Sequence, residues 1–466
     1  CGNRYEAGSY VINLEQPAKR LIRTLMDRDI PIDEAFMEEQ ERRREKDLYA
    51  ELYDVTAWSL PLMMNVQADA CGRGVRVAGE PASDQWVLAG DFTAAEQTVV
   101  TYIVPWGQAP AIRLLSHALR EGYRVKTTDR AFTHQGRRYP AGTLILDVAD
   151  NPSTLAASLE AWSASLGADV VAIDNTWVTD GPNFGSGNVM RFDEVRVAMA
   201  WDMPTSTLNA GNTKFVIERQ FDYPVTPIRT ARLATADLRR YHVLILPATR
   251  GGGYFDSLGK GGIANLKDWV SDGGVVISMG NATRFLSDPD VNLLSIRREN
   301  AVAEVDEALE LPERDDEDDA AKVAGSYIEN AEVYRALIEP TEQSPDYVPG
   351  VLVKATVDPD HWLGAGVAST LNVLVRGNDI YTPATLDAGV NVVRYEAADD
   401  LLASGYLWEE NRKQLAFKPF VVAERVGRGY AIAFTEDPTV RAYLDGLNVV
   451  FMNAIFRGAA HARPVR

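Results

Sequence analysis

The chain has 466 residues, 46% of them hydrophobic, which is enough for about three domains that each bury a core of their own. Acidic residues outnumber lysine and arginine by 66 to 47, giving a formal net charge of −19. This charge argues against nucleic acid or an anionic membrane as a partner, because both are bound by clustered basic side chains. No window approaches the ~20 consecutive apolar residues of a membrane-spanning helix.

The two cysteines limit the covalent chemistry of the chain. Cys1 and Cys71 allow one disulfide at most, so the fold is expected to depend on its core rather than on a disulfide framework. Cys1 is followed by Gly2, which leaves two interpretations: the lipidated end of a processed bacterial lipoprotein, or the point at which a longer chain was cut. We favour the second, simpler interpretation.

The first predicted element is a surface helix over 33–52. Asp33 is suited to cap its first turn, and Glu39 stands four residues before Arg43, a spacing that favours an ion pair along a helix. The charged residues of this segment therefore indicate a solvated helix face rather than a binding patch.

The segment 53–66 follows this helix and has a different composition. It carries Trp58 and several leucines and methionines around Pro61, which is typical of a packing surface. We therefore interpret residues 1–95 as a helical linker that docks on another part of the protein.

Residues 96–190 are predicted to form a small α/β domain. Strands and helices alternate in this segment, and a glycine follows each helix at the position where helices commonly end. The predicted elements are strands 98–106, 123–129 and 168–174, helices 109–121 and 153–166, and a hairpin about Gly136 within 132–146.

Residues 191–466 are predicted to form a second, larger α/β domain. Strands are expected at 195–201, 242–248 and 275–279, with helices at 214–220 and 263–271 between them. This alternation predicts a parallel, doubly wound sheet. Ligands bind such sheets at the carboxyl ends of the strands, so the loops at Asp202, Thr249 and Asn281 are expected to converge on a pocket.

A strongly acidic segment interrupts the larger domain. Between Glu304 and Asp319 there are ten acidic residues and one arginine. The segment lacks the central glycine and terminal glutamate of a Ca²⁺ loop, so about 300–325 is interpreted as a solvated or disordered insertion. Beyond it the chain is predicted to be rich in strands and to end in a helix over 440–454.

No motif for a metal or a nucleotide emerges from the sequence. None of the five histidines begins a His-x-x-Glu or His-Glu-x-x-His pair, so a zinc site made by this chain alone is not expected. The segment GYFDSLGK at 253–260 is one residue too long for a Walker loop. GSGNVM at Gly185 lacks the third glycine of the dinucleotide fingerprint, and both segments are interpreted as loops.

The segment VVISMGNATRFL, 275–286, has the pattern of a nucleophile elbow, in which a sharp turn lifts one residue out of the sheet. That residue is Asn281, whose carboxamide is a poor nucleophile, and neither cysteine is close to it in sequence. Two roles stay open for Asn281: capping the following helix, or hydrogen bonding to a ligand. We favour the capping role.

Six stretches spread over the chain carry a family resemblance. They are GSYVINLEQPAKRLIRTLM from Gly8, YDVTAWSLPLMMNV from Tyr53, RRYPAGTLIL from Arg137, YHVLILPA from Tyr241, SGYLWEENRKQL from Ser404 and ERVGRGYAIAFTEDPTVRAYLDGLNVVFMNAIF from Glu424. In this order they resemble the region that follows the peptidase domain in large bacterial zinc carboxypeptidases of the carboxypeptidase A type. The resemblance covers nearly the whole chain.

This resemblance implies a multidomain α/β fold. Its last domain, 191–466, would be class I glutamine-amidotransferase-like (flavodoxin-like) and without its cysteine nucleophile, with Asn281 at that position. HWLGAGV at His361 resembles a loop often seen in such domains, so His361 is expected either to face the pocket or to be a structural histidine. The zinc ligands and the glutamate base of the family belong to the peptidase domain, which this chain lacks, so the resemblance assigns it no catalytic residue, metal or cofactor.

The partner implied by the resemblance is the peptidase domain or chain of the same protein and, through it, a peptide substrate. No nucleic acid or transmembrane segment is expected, and the oligomeric state is left open. The implied location is the periplasm or the outside of a bacterium, with a lipoprotein as the alternative if Cys1 is the mature N-terminus.

Three functions are compatible with these observations. The first is a non-catalytic accessory region that acts as a scaffold, substrate-positioning or assembly module for the peptidase. The second is a small-molecule binding domain with its pocket at Asp202, Thr249, Asn281 and His361. The third is an enzyme in which a carboxylate near that pocket, such as Glu218 or Asp202, acts as the base.

Overall fold

The computed structural model of the protein describes residues 3–462 apart from 6–7, 47, 49, 53, 75–78, 83–88, 251–252 and 303–342. The acidic insertion predicted at about 300–325 therefore lies almost entirely outside the described residues, as does Cys1. Cys71 is disulfide-bonded. Within the described ranges, the helices are all too short or too polar to cross a membrane.

The N-terminal segment contains three helices, α1 (Lys19–Met26), α2 (Glu34–Glu45) and α3 (Leu60–Met63). The predicted cap of α2 is confirmed, because the Asp33 carboxylate accepts a hydrogen bond from the backbone N–H of Phe36 at 3.1 Å. The helix is shorter than predicted. It ends before the chain turns back, where the N–H of Glu51 donates to Oε1 of Gln40 at 2.7 Å.

The charged face of α2 is only partly solvated, which corrects the prediction made for it. Arg43 does lie beside Glu39, with an N–O distance of 3.6 Å. Arg44, however, contacts two acids of the large domain: its Nη1 is 2.7 Å from Asp346 and 2.9 Å from Glu410. Spacing along the helix could not indicate this contact, because both acids are about 300 residues or more away in sequence.

The segment after α2 packs on the large domain. The N–H and the hydroxyl of Thr56 both donate to the carbonyl of Gly350 at 2.8 Å. The Asn65 amide donates to the carbonyl of Thr370 at 3.1 Å. A Cβ at Gly350 would stand 2.8 Å from the Val55 side chain, so glycine is needed for this close approach.

The small domain consists of a six-stranded and a three-stranded sheet with two helices. Its elements are β1 (Phe92–Thr93), β2 (Thr101–Val104), α4 (Ala109–Arg120), β3 (Val125–Thr128), β4 (Phe132–His134), β5 (Arg137–Tyr139), β6 (Leu144–Asp147), α5 (Leu155–Leu166), β7 (Val170–Ile173), β8 (Val178–Asp180) and β9 (Val189–Phe192). The larger sheet has the order β1-β7-β2-β6-β3-β9 and the smaller one β5-β4-β8.

The elements predicted in the small domain are present with modest differences in their bounds. The hairpin joins β4 to β5 through Gln135 and Gly136, both with positive φ. Gly167 ends α5 in the left-handed conformation that glycine adopts without strain. Within the six-stranded sheet, only β1 and β7 run parallel. Since β1 lies before residue 96, this sheet begins inside the segment assigned to the linker.

The large domain contains a ten-stranded sheet and seven helices among its described residues. The strands are β10 (Val197–Trp201), β11 (Val225–Arg229), β12 (Val243–Leu246), β13 (Val275–Met279), β14 (Val348–Val357), β15 (Thr370–Gly377), β16 (Gly389–Tyr395), β17 (Leu402–Ser404), β18 (Pro419–Val426) and β19 (Gly429–Phe434). The helices are α6 (Thr207–Phe215), α7 (Thr230–Leu233), α8 (Tyr254–Ser271), α9 (Thr283–Leu286), α10 (Ala398–Leu401), α11 (Glu409–Leu415) and α12 (Asn448–His461).

Half of the ten-stranded sheet is parallel and has the order β11-β10-β12-β13-β19. Counted along the chain this is the order 2-1-3-4-5, which defines a flavodoxin-like doubly wound sheet. The predicted fold class is therefore confirmed. Strands β12 and β13 are buried along their whole length, as expected for parallel strands covered on both faces.

The other half of the sheet is antiparallel. It continues from β19 through β18, β16, β14 and β15, and β17 pairs with β14. This half carries the surface on which the N-terminal segment packs, through Gly350 and Thr370.

Three local predictions for the large domain need correction. The helix predicted at 214–220 is α6 and begins at Thr207, after Ser206, whose hydroxyl caps it; residues Val216–Gln220 continue it as a π-helical turn. The helix predicted at 263–271 is α8 and begins earlier, with a kink at Gly259. Strand β11 was missed because it contains Pro227, which is tolerated because β11 lies at the edge of the sheet.

The small and large domains meet at α12. Arg457 on this helix is fully buried and forms an ion pair with Asp129 of the small domain. It also donates to the Thr127 hydroxyl at 2.9 Å and to the Trp362 carbonyl at 3.1 Å. These bonds connect the C-terminal helix to both domains at once.

Candidate functional site

The carboxyl edge of the parallel strands is the place where a doubly wound sheet binds ligands. In this protein, Asp202 follows β10 and Thr249 lies three residues beyond β12. Asn281 follows the turn after β13, and Glu436 and Asp437 follow β19. We call these five residues and their loops the carboxyl edge.

Asn281 is bonded to the backbone of a neighbouring loop. Its Oδ1 accepts from the N–H of Thr249 at 2.7 Å, and its Nδ2 donates to the carbonyl of Thr249 at 3.0 Å. Gly280 makes the preceding turn with a φ of +55°, the left-handed region that favours glycine. The prediction that Asn281 caps the next helix is wrong: Ala282 occupies the cap of α9, with no side-chain hydrogen bond.

The loops after β10 and β12 are joined to each other. Ser206 donates its N–H to the carbonyl of Ala248, and Arg250 donates to the carbonyl of Pro204, both at 2.8 Å. Asp202 has a φ of +72° and its carboxylate accepts from the N–H of Met203 at 2.9 Å. The structure thus brings the loops of Asp202, Thr249 and Asn281 together, the first two through backbone hydrogen bonds and the third through the side chain of Asn281.

His361 lies at the opposite edge of the sheet, which corrects its assignment to the same pocket. The neighbouring Trp362 contacts Tyr430 near the start of β19, with ring centroids 5.4 Å apart. Tyr430 pairs with Val275, the first residue of β13, whereas Asn281 lies beyond the last residue of this strand. A five-residue strand is about 13 Å long, so His361 and Asn281 lie at opposite ends of β13. His361 Nδ1 accepts from the N–H of Leu363, and burial lowers the pKa of His361 to about 4. It is a neutral structural histidine.

Glu218, considered as a base, is also distant from the carboxyl edge. It lies on the π-helical turn and forms an ion pair with Lys214. Its Oε1 accepts from the N–H of Val225, the first residue of β11, at 3.4 Å. Since this is the amino end of a parallel strand, Glu218 cannot act on a ligand held at the carboxyl edge.

Asp437 is a buried acid at the carboxyl edge that the sequence analysis did not single out. Its Oδ1 accepts from the N–H and the hydroxyl of Thr439 at 2.7 Å, and its Oδ2 accepts from the Asn209 amide. Burial raises the pKa of Asp437, although these hydrogen bonds oppose the shift. A Cβ on Gly280 would be 3.9 Å from the Asp437 nitrogen, which places this acid beside the elbow.

Glu436, the other acid after β19, is buried more completely than its charge would normally allow. Desolvation raises its pKa well above the usual range, and the nearby carboxylates of Asp379 and Asp437 raise it further. Burial thus favours the protonated form of Glu436, which can donate a hydrogen bond as well as accept one.

Asp379 and Tyr381, in the segment after β15, lie near Glu436. Arg284 on α9 holds Asp379, with Nε 2.8 and 3.0 Å from its two oxygens. Arg298 lies 3.6 Å from the same carboxylate. The hydroxyl of Tyr381 is buried and makes no well-formed hydrogen bond with any residue that the structure describes.

The chemical capacity of the carboxyl edge follows from these groups. Glu436 and Asp437 have pKa values raised by burial, Tyr381 contributes a hydroxyl, and Asn281 accepts one hydrogen bond from the backbone of Thr249 and donates one to it. At the elbow, Asn281 presents a carboxamide, a poor nucleophile, where an activated hydroxyl or thiol would be needed. The described residues also contain no group of three His, Cys, Asp or Glu arranged for a metal ion.

The sequence contained a signal for Glu436 and Asp437 that was not used. TED follows the run GYAIAF directly, so two acids stand at the carboxyl end of a buried strand. The strand was predicted only as one half of a hairpin about Gly427 and Gly429, and the hairpin is present. The same strand also pairs in parallel with β13, so its carboxyl end becomes part of the site.

Comparison with known proteins gives structural neighbours only. No family model matches the chain, and no curated protein matches it. Among solved structures, the chain is similar to a ThuA-like protein from Parabacteroides merdae, with 10% identity, a TM-score of 0.35, and coverage of 56% of this chain and 90% of that one. A glutamine amidotransferase from Thermotoga maritima gives 10% identity, a TM-score of 0.31, and coverage of 57% and 90%.

A third neighbour is much longer than the matching part. A β-galactosidase from Bacillus circulans shows 13% identity and a TM-score of 0.32, and the match covers 57% of this chain but 32% of that enzyme. Since all three TM-scores are below 0.5, we base no functional statement on them. The flavodoxin-like class rests on the strand order itself.

Proposed function

We propose that this chain is a non-catalytic accessory region of a bacterial zinc metallocarboxypeptidase, built around a degenerate amidotransferase-type domain. The observation that carries the non-catalytic part is the bonding of Asn281. Both polar atoms of its side chain bond the backbone of Thr249, at 2.7 and 3.0 Å, in the position where the elbow would present a nucleophile.

The groups around the elbow support the same conclusion. A nucleophile at an elbow is activated by a neighbouring base, commonly histidine. Here the neighbouring acids Glu436 and Asp437 have pKa values raised by burial. His361 is at the other edge of the sheet and is neutral. Among the described residues, the elbow therefore lacks a nucleophilic side chain and the histidine that commonly activates one.

The carboxypeptidase parent rests on the sequence resemblance alone. Its six stretches run in order from Gly8 to the end of α12. Zinc does not fit this chain as described, because no suitable ligand group is found among its described residues, so we derive no step through it. The peptidase domain or chain is the proposed partner, peptides are its substrate, and the proposed location is the periplasm or the cell exterior.

The junction between the domains favours a scaffold over a hinged enzyme. The buried Arg457, the bond from Trp106 Nε1 to Asn453 Oδ1 at 3.0 Å, and the close approach of Gly107 to Gly366 fix the small domain on the large one. A Cβ at Gly107 would be 2.5 Å from the Gly366 carbonyl oxygen. An accessory region that positions another domain benefits from such rigidity.

The experiment that tests the proposal measures zinc content and carboxypeptidase activity of this chain alone and of the chain joined to the peptidase domain of its parent. We expect no stoichiometric zinc and no release of C-terminal residues from the chain alone, and both from the joined protein. Release of amino acids by the chain alone, lost in Glu436→Gln, would overturn the non-catalytic assignment. Failure to find any peptidase domain in the parent protein would overturn the parentage.

A second candidate function is the binding of a small molecule at the carboxyl edge. The buried Tyr381 hydroxyl without a well-formed hydrogen bond favours it, because such groups normally find a partner. Glu436, whose pKa is raised well above its usual range by burial, lies close enough to raise the pKa of Tyr381 and offers a further polar group. A ligand-induced rise in melting temperature that is lost in both Tyr381→Phe and Glu436→Gln would support this function over the scaffold. If no compound in a broad set of metabolites raises the melting temperature, the small-molecule binding function is excluded.

A further inference from the structure

The most exposed aromatic side chain among the described residues is Trp177, which is 74% exposed. It immediately precedes β8 in the three-stranded sheet of the small domain. Its indole makes no hydrogen bond or ring contact with any residue that the structure describes. Tryptophan carries one of the largest apolar surfaces of any side chain, so a ring presented to water in this way is a candidate contact for a ligand.

Hydrogen bonds hold the backbone beside Trp177 in place. Oδ1 of Asn175 accepts from the N–H of Trp177 at 3.1 Å, and Nδ2 of Asn175 donates to Oδ1 of Asp174 at 2.8 Å. The carbonyl of Asn175 accepts from Nε2 of the buried His134 at 2.9 Å. A side chain on a fixed backbone loses less conformational freedom on binding, which favours recognition of a ligand by this ring.

Trp177 lies on the outer face of its sheet. The next residue, Val178, is buried in the core of the small domain together with Phe132 and Tyr139. Successive side chains of a strand point to opposite faces, so Trp177 is directed away from this core. Among the described residues of the three-stranded sheet and its loops, it is the one large apolar side chain that is exposed.

The rest of the outer face is polar. Thr133 in the central strand pairs with Arg138 on one side and with Asp180 on the other, and directly paired residues share a face of the sheet. Arg138 and Asp180 are exposed, and neither forms an ion pair with any other residue that the structure describes. This row therefore offers free hydrogen-bond donors and acceptors within about 10 Å of Trp177 along β8.

A single exposed ring with polar neighbours limits the kind of ligand. The core of a protein–protein interface joins several apolar side chains, whereas the described part of this face offers one. Nucleic acid is disfavoured by the net charge of −19. Segments 132–139 and 174–180 contain two arginines and two aspartates, so their charges balance and favour a neutral ligand.

A sugar matches both features of this face. A pyranose with equatorial hydroxyls carries C–H groups on its two faces, and these contact the electron-rich face of an indole. Its hydroxyls lie around the edge of the ring, where they can bond to guanidinium, hydroxyl and carboxylate groups. The same molecule can therefore use the aromatic ring and the polar row.

We propose that the outer face of the three-stranded sheet binds a neutral polysaccharide of β-linked, glucose-type sugars. One sugar unit stacks on Trp177, and a neighbouring unit bonds to Thr133, Arg138 and Asp180. Because the ring and the polar row are separate along β8, at least two linked units are engaged. The inference is independent of the proposed carboxypeptidase parentage.

The test is calorimetric titration of the full chain with cellohexaose, laminarihexaose, xylohexaose and chitohexaose. We expect at least one to bind, and Trp177→Ala to weaken its binding at least about tenfold, because the stacking surface is lost. Trp177→Phe keeps an aromatic face and should have an intermediate affinity. Phe215→Ala is the control, at a half-exposed aromatic residue on α6 of the large domain, and should leave the affinity unchanged.

The polar row is tested separately. Arg138→Gln and Asp180→Asn each remove a charged hydrogen-bonding group and should weaken the same hexasaccharide several-fold. Glucose reaches only one part of the face, so it should bind at least about tenfold more weakly than the hexasaccharide. Circular dichroism and the melting temperature verify that each variant is folded.

Three results would overturn the inference. The first is no heat of binding from any of the four hexasaccharides up to about 10 mM. The second is binding that Trp177→Ala leaves unchanged in folded protein. The third is binding of glucose as tight as that of the hexasaccharide, which would make the ligand a single sugar.

Discussion

The side chain of Asn281 forms a closed pair of hydrogen bonds with one backbone unit, that of Thr249. Both residues are partly shielded from water, so removal of the amide leaves a donor and an acceptor without a protein partner. At the scale of the residue, the elbow is thus a structural joint between the loops after β12 and β13. Its glycine turn is retained, but its projecting residue faces the neighbouring loop.

Replacement of Asn281 by alanine tests this joint. We expect Asn281→Ala to lower the free energy of unfolding by about 2 kcal/mol, because two polar backbone groups lose their partner. Urea unfolding followed by tryptophan fluorescence measures the change. Asn188→Ala, at an exposed position whose side chain makes no hydrogen bond with the described residues, is the control and should change it by less than about 0.5 kcal/mol. Equal effects of the two substitutions would show that the amide has no structural role.

Glu436 makes stability depend on pH. Its pKa is raised well above 4.5 in the folded chain, so the folded state holds a proton that the unfolded state releases above about pH 4.5. Its contribution is therefore fully favourable below the unfolded pKa and is lost as pH rises toward the folded value. We expect Glu436→Gln to be more stable than the parent chain at pH 7 and nearly equal to it at pH 4.

Denaturant unfolding of the two proteins at several pH values between 4 and 8 measures this dependence. The exposed substitution Glu38→Gln serves as the control and should leave the pH profile of the parent chain unchanged. A Glu436→Gln profile parallel to that of the parent chain would mean that Glu436 is ionised in the folded protein.

At the scale of elements, α2 illustrates how a polar helix is held on a protein. The helix is strongly polar, and its attachment to the large domain depends on Arg44. Arg44 contacts Asp346 and Glu410, and its guanidinium carbon lies 5.1 Å from the centroid of the Trp408 ring. Arg42, two residues earlier, pairs with Glu39 of its own helix and with no other acid that the structure describes. The two arginines are close in sequence but have different structural roles.

A comparison of these two arginines tests the docking of α2. We expect Arg44→Ala to cost about 1 kcal/mol, a modest value because its acid partners are half exposed and solvent screens them. It should also speed amide hydrogen exchange throughout α2 several-fold. Arg42→Ala should leave exchange in the helix nearly unchanged. Equal exchange in both variants would show that Arg44 does not hold the helix in place.

At the scale of the whole molecule, Arg457 connects the two domains from within the core. It is the largest fully buried side chain of the described residues and bonds Thr127 and Asp129 in one segment of the small domain and Trp362 in the large domain. A buried ion pair of this kind is costly to break from one side, because the partner charge is left without compensation. The pair therefore makes the folding of each domain dependent on the other.

The substitution Arg457→Met tests this dependence. We expect a loss of about 3–5 kcal/mol and a change from one calorimetric transition to two, as the small domain separates from the large one. Arg441→Met, at an arginine that is 45% exposed and also paired with an aspartate, is the control and should retain a single transition. A single transition in Arg457→Met would show that the domains are coupled by the apolar contacts alone.

The sequence by itself determined the elements whose signals are local. The buried strands β12 and β13 were predicted because continuous apolar runs mark strands covered on both faces, and the elbow because a glycine follows such a run. The absence of a nucleophile at the elbow could also be predicted, since it depends only on which residue is Asn281. Edge strand β11 and the start of α6 were not predicted. Strand β11 is interrupted by Pro227 and the first turn of α6 is polar, so neither has a continuous apolar run.

Only the tertiary structure decided what the site residues do. Asn281 bonds Thr249 across 32 residues, His361 lies at the far edge, and Glu436 and Asp437 enter the site through the pairing of β19 with β13. The charge state of the two acids depends on how much surrounding protein excludes water, which no spacing encodes. Hydrogen-bond partners and burial depend on contacts between residues that are distant in sequence. For this reason the sequence predicted the turn of a nucleophile elbow but not the roles of the residues around it.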